Sequence, residues 1–335
     1  MKVEFEFYKE NENIRPLKLN IKEEVYADLS NLEFSTTGRV DALISNTFIQ
    51  ESVQLVINAI SLFEKGYFDS AYYSLRQSLE VSTTVVYLME LDYKEREIEL
   101  SNWKKQSKFP MYSQMVNFLI KNEKEFANIK IQMNNYFNKL QLVKKRLNKY
   151  VHKQGFNTFY VSRNHIANKS KDDSQFINEF EGFVEVCIGA IAIFRLSIDP
   201  MPVLLMEEEI YERLTGLLTE PFTEEFILKY IGEDEIQSYK KTNIYRDHYE
   251  ECLAIEKRLP SVVDLLNYQF IDKDKIDEIL GQAHLLSDLD IYAVNISEFS
   301  HKVAKIYFDE GFIFYFTSTK SKRLENSFSS IFKTS

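Results

Sequence analysis

One stretch, Lys144-Lys145-Arg146-Leu147-Asn148-Lys149-Tyr150-Val151-His152, gathers cations and a titratable imidazole as no other part of this chain does. Such residues suit cleavage of a phosphodiester beside a ribose 2′-hydroxyl without a metal. That reaction needs a base for the hydroxyl proton, and histidine titrates near neutrality. It also needs a cation for the charge that builds on the phosphate, and arginine presents a fork of donors. Arg146 and His152 supply both within two turns, and Lys145, Asn148, Lys149 and Lys153 are placed to hold an RNA backbone.

Helical geometry sets a condition. At about 100° per residue, His152 shares a face with Lys145, Asn148 and Lys149, on the flank opposite Arg146. A single helix does not aim Arg146 and His152 at one phosphate, whereas two symmetry-related copies can, so the spacing predicts a homodimer. A plainer account competes. Basic residues collect in the last turn of a helix because they complement its dipole, and Gly155 marks a helix end here.

Charge reinforces the first account. From Phe126 to Lys171 there are ten Lys or Arg residues and no Asp or Glu. All 51 acidic residues lie outside this stretch, against 31 of the 41 basic ones, so a basic patch sits in an acidic chain of net charge −10. That is the footprint of a polyanion-binding surface, or else a solvated face that pairs with acidic neighbours. Phe159, Tyr160, Arg163, Asn164 and His165 follow in a loop. Tyr160 and Arg163 are candidates to stack on and hold unpaired bases, with ordinary loop packing as the alternative.

Arg76 and Glu80 stand four residues apart on an earlier helix. They read as a surface ion pair or as groups that orient an active-site cation. His248 and Cys252 share a helical face beside Asp247, but nothing nominates a further metal ligand. Phosphate-loop, dinucleotide and zinc-protease patterns are absent, so no cofactor is expected.

The elements that must position these residues are helical. Helical spacing runs from Ser35-Thr36-Thr37 through Leu43, Phe48, Val53, Ile57 and Leu62, breaks at Gly66, and resumes from Phe68 to Met89. A short apolar helix is expected at Tyr112–Ile120. Met133, Tyr136, Phe137, Leu140, Val143, Leu147, Tyr150 and Val151 form the apolar stripe of the helix that carries the candidate site. A helix from Phe176 to Leu196, apolar on most sides, should be the buried centre of a bundle. Alternation over residues 3 to 8 and 17 to 21 predicts a short N-terminal hairpin or edge strands, and Gly311 to Thr319 reads as a strand.

Nine Gly and six Pro in 335 residues leave few tight turns, and 26 Phe with 20 Tyr predict an aromatic core. Two cysteines without a CxxC pair exclude a disulfide framework. The N-terminus does not read as a signal peptide, and the longest apolar run, Cys187 to Phe194, is too short to span a membrane. A cytoplasmic protein is expected.

Taken together, Gly66 to Glu80 (GYFDSAYYSLRQSLE), Trp103 to Met115 (WKKQSKFPMYSQM) and Leu147 to Gly155 (LNKYVHKQG) resemble the HEPN superfamily over residues 38 to 200. These are small helical bundles of bacterial toxins, phage-defence proteins and RNA-processing factors, many of them metal-independent endoribonucleases with the site at a dimer interface. Their signature is an arginine four to six residues before a histidine, matched by Arg146 and His152. A polar residue often follows the arginine; Leu147 stands there, with Asn148 one place later. The resemblance implies a HEPN-like bundle at 35–200, after an N-terminal β element at 1–34 and before an acidic, mostly helical region at 201–335. It implies a dimeric toxin or antiviral ribonuclease that leaves 2′,3′-cyclic phosphate ends, open to an antitoxin or regulatory partner. An inactive scaffold that binds RNA or protein through the same surface is the alternative.

Overall fold

The computed structural model describes residues 16–159, 173–214, 217–299, 304–307 and 313–319. The fold is mainly helical, as expected, and divides into two compact units. The first takes the described residues up to Leu204 together with Leu218–His248; the second takes those of Leu205–Leu217 and the described residues from Tyr249 on. Leu218–His248, which the sequence groups with the C-terminal region, thus packs with the N-terminal helices.

The first unit opens with α1 (Lys22–Phe34), α2 (Ile44–Glu64), α3 (Phe68–Glu90), α4 (Tyr93–Lys104), α5 (Tyr112–Lys121) and α6 (Glu125–Gln132). It continues with α7 (Asn134–Val151), α8 (Asp173–Leu196), α9 (Met201–Leu204), α11 (Glu224–Tyr230) and α12 (Glu233–Tyr239). The second unit contains α10 (Glu208–Tyr211), α14 (Pro260–Tyr268), α15 (Ile276–Gly281), α16 (Asp288–Phe299) and two strands. Helix α13 (Asn243–Leu253) carries the division between the units.

Two N-terminal expectations are corrected. Leu17–Ile21 forms no strand, and residues 22–34 are helix; residues 3 to 8 lie outside the described part. The alternation over 17–21 instead seats Leu19 in the core, where the Asn20 N–H donates to Glu181 at 2.6 Å. The next helix starts at Ile44 rather than at Ser35-Thr36-Thr37. Ser35 closes α1 through a hydroxyl bond to the Leu32 carbonyl, and the Thr37 hydroxyl bonds buried Asp199, so the first ends the preceding helix and the second makes a tertiary contact, and neither starts the next helix.

Helices α2 and α3 form the largest helix pair, turned at Gly66. There the Gly66 N–H bonds the Phe63 carbonyl and the Tyr67 N–H bonds the Leu62 carbonyl, a Schellman close whose left-handed position (φ 85°) glycine takes without strain. Helix α8 is the buried centre, with every residue from Val186 to Leu196 out of solvent. Gly189 permits the closest approach: a β-carbon there would meet the Tyr230 carbonyl of α11 and the Tyr136 hydroxyl of α7. Aromatic stacking fills the space between α2, α3 and α8, with Phe63 on Phe180 at 3.9 Å.

The second unit has its own small core of Leu265, Ile271, Ile279, Ala293, Val294 and Phe316. Strands β1 (Ala304–Tyr307) and β2 (Ile313–Phe316) pair antiparallel with Ala304 opposite Phe316. Strand β2 lies inside the segment read as a strand from sequence. Among the described residues no helix is long and apolar enough to cross a membrane.

Candidate functional site

Helix α7 lies antiparallel to α3. Tyr72 stacks flat on Tyr150 at 4.0 Å, Asp69 ion-pairs with Lys153, and Lys144 stands electrostatically beside Glu80. The buried stripe of α7 is Tyr136, Phe137, Leu140, Leu147 and Tyr150. Leu147 is therefore apolar for a packing reason: it sits in the core at 0% exposure.

The helix ends one turn before Gly155. Lys153 takes the left-handed position (φ 53°), with its N–H on the Tyr150 carbonyl and the Gln154 N–H on the Lys149 carbonyl. A lysine in this conformation costs about 1 kcal/mol relative to glycine. Its ammonium is held in place by Asp69 and by the Thr158 carbonyl at 3.4 Å. Lys153, expected to meet RNA, is thus engaged within the protein.

Arg146 and His152 face different surroundings. The Arg146 side chain, 46% exposed, turns to α8, where Nε and Nη2 donate to Glu179 Oε1 at 2.8 and 2.7 Å. The Tyr150 hydroxyl donates to the other oxygen, Glu179 Oε2, at 2.7 Å. Burial alone would lower the Arg146 pKa, but Glu179 and Tyr150 together outweigh it and raise it. His152 caps the helix with its backbone N–H on the Asn148 carbonyl, and its imidazole is exposed. It lies six residues beyond Arg146, about 9 Å further along the axis.

Lys145 and Lys149 are exposed and carry no ion pair among the described residues. Asn148 is half-buried, and its Oδ1 is enclosed without a hydrogen bond among the described residues. Tyr160, Arg163, Asn164 and His165 lie outside the described residues. Arg76 and Glu80 form the ion pair at 2.7 Å on the α7 side of α3. Beside them is a group that sequence reading did not single out. The Lys144 ammonium sits over the Tyr112 ring of α5, and burial brings its pKa down to about 8, Glu80 opposing the fall and Arg76 adding to it.

Glu179 and Asp69 are the other residues that sequence reading missed. Each is brought from a distant helix to cancel a cation of the basic stretch, and no local pattern announces a contact across 33 or 84 residues. Elsewhere, His248 bonds the Ile244 carbonyl through Nδ1, and His284 pairs with Glu256 at 2.7 Å. Among the described residues no three His, Cys, Asp or Glu side chains gather as a metal site. No protein-family model, no curated protein and no solved structure matches this chain.

Proposed function

We propose that this chain is a HEPN-like, metal-independent endoribonuclease of the toxin or antiviral-defence type, active as a homodimer. The observation that carries the reading is the imidazole of His152, exposed at the end of an acid-free helix beside Lys145 and Lys149. His152 accepts the 2′-hydroxyl proton, and the oxygen attacks the adjacent phosphorus. The P–O5′ bond breaks, leaving a 2′,3′-cyclic phosphate and a 5′-hydroxyl that takes up a proton. Arg146, oriented by Glu179, stabilises the phosphate through its half-exposed guanidinium. Because Arg146 and His152 point to different flanks, the arginine of one copy works with the histidine of the other. Lys145, Asn148 and Lys149 hold the RNA strand.

A second reading rests on a specific contact. Glu179 neutralises Arg146, and core-buried Leu147 replaces the polar residue common in the family. Both suit a silent scaffold that binds RNA or a protein partner. Incubating wild type and Arg146→Ala/His152→Ala with total RNA in EDTA separates the two. Cyclic-phosphate fragments from wild type alone support the nuclease; RNA binding without cleavage by either supports the scaffold.

A further inference from the structure

At the far end of α3 from His152, a cavity of about 460 Å³ opens within the first unit. Its size is that of a small-molecule site. Val86, Leu91 and Ile198 give it apolar walls, and Tyr93, 73% exposed, stands at its mouth.

The cations that line it are engaged by the protein. Arg96 donates from Nε to the Leu88 carbonyl at 3.1 Å, from Nη1 to the Asp41 carbonyl at 3.0 Å and from Nη2 to the Met89 carbonyl at 2.9 Å. Arg39 is divided between the Asp41 carboxylate and the Ile198 carbonyl, and Lys124 between the Glu90 carbonyl and Asp92. The acids are not so satisfied. Glu90 is 7% exposed; its Oε1 accepts the Phe126 N–H at 2.6 Å, while its Oε2 is buried with no hydrogen bond. The Asn122 amide lies beside Glu90 and opposes the rise in its pKa. Glu125 Oε2 is likewise buried and unbonded. Burial raises the pKa of both carboxyls; Glu125 adds to the rise at Glu90, opposed by the Phe126 N–H, Asn122 and Lys124, and Asp247 adds to the rise at Glu125, opposed by His248 and the Ile244 N–H. Three cations and four acids thus line the cavity; the cations spend their donors on protein oxygens, while Glu90 and Glu125 each keep one oxygen without a hydrogen bond among the described residues.

We propose that this cavity binds a small organic cation whose N–H groups donate to Glu90 and Glu125. An alkylammonium or a guanidinium group provides this chemistry, and the exposed Tyr93 ring offers its face to the cation at the mouth. The proposal is independent of the ribonuclease reading, because binding is measured without RNA.

Calorimetric titration of the full chain with putrescine and with agmatine tests it, with sodium phosphate as the anionic control. Saturable binding of one cation per chain is expected. Putrescine binding alone identifies an ammonium site, agmatine binding alone a guanidinium site, and either supports the proposal. Glu125→Gln should weaken binding at least tenfold and Tyr93→Ala severalfold, both with unchanged circular dichroism. Glu125 and Tyr93 carry the test because Glu90→Gln alters a residue in the core. The proposal is overturned if neither cation binds, if phosphate binds instead, or if Glu125→Gln binds the cation as tightly as wild type.

Discussion

At its N-terminal end α3 meets the close of α7, where acids from other helices cancel part of a basic stretch: Asp69 takes Lys153 and Glu179 takes Arg146. At its C-terminal end, about 33 Å away along the helix axis, carbonyls and acids engage Arg39, Arg96 and Lys124, and the oxygens left over belong to Glu90 and Glu125. Both regions contain both signs of charge. They differ in which sign packing leaves unsatisfied, and that remainder, more than the total, sets the ligand each can take. The first leaves Lys145, Lys149 and His152 exposed, the charge that the proposed RNA site uses; the second leaves an oxygen of Glu90 and one of Glu125 without a hydrogen bond among the described residues, the charge that the proposed cation site uses.

The largest expected effect lies in the first region. His152→Ala should slow cyclic-phosphate formation by about 10²–10⁴-fold, while RNA binding, carried by Lys145 and Lys149, falls much less. Mixing Arg146→Ala with His152→Ala chains sharpens this. If each site combines an arginine and a histidine from different copies, the mixture recovers roughly a quarter of wild-type cleavage. No recovery, with heterodimers demonstrated, would place both residues in one copy.

Gly189→Ala tests whether the two regions share one frame. Helix α8 supplies Glu179 to the first region and leads directly into Ser197 and Ile198, which line the second. A methyl at Gly189 meets the backbone carbonyl of Tyr230, which cannot swing aside as a side chain can. The expected loss is about 1–3 kcal/mol in urea unfolding, with RNA cleavage and cation binding weakened together. An unchanged midpoint would break the idea of a common support.

How much of this was legible beforehand follows from the range of each interaction. The α7 stripe, the break at Gly66 and the buried α8 were readable because helical periodicity and a left-handed glycine are local signals. Ser35 and Thr37 misled because a hydroxyl that suits the start of a helix equally suits other bonds: Ser35 closes the preceding helix, and Thr37 bonds Asp199 across 162 residues. The basic stretch was visible in full, but its discount was not: nothing near Arg146 or Lys153 announces Glu179 or Asp69. The cavity was invisible for the same reason, since Glu90 and Glu125 lie on separate helices and look like ordinary surface acids in sequence.

Salt dependence separates total charge from remaining charge. Each phosphate contact on a single strand contributes about 0.7 to the slope of log affinity against log salt. Lys145→Ala/Lys149→Ala should therefore lower that slope by about 1.4. Lys153→Ala removes an equal charge per residue, but one already held by Asp69, and should leave the slope nearly unchanged. Equal slope changes per lysine would mean that the ion pair opens when RNA binds.

The smallest effect is expected at the carboxyls, and its sign is distinctive. Burial raises the folded-state pKa of Glu90, with Glu125 adding to the rise while the Phe126 N–H, Asn122 and Lys124 oppose it. Burial and Asp247 raise that of Glu125, with His248 and the Ile244 N–H opposing. A raised carboxyl pKa means that the folded state binds more protons than the unfolded one above pH 4.5, so this contribution to stability falls as pH rises through that window. Gln cannot ionise. The Tm of Glu125→Gln relative to wild type should therefore move in the variant's favour between pH 4.5 and pH 7. Saturating putrescine or agmatine, whichever binds, should shift the comparison back towards wild type at pH 7, because the ligand stabilises the ionised pair only where both carboxylates are present. Parallel Tm curves across that range would show that Glu125 finds its charge partners within the protein, and the contrast between the two ends of α3 would then rest on Glu90 alone.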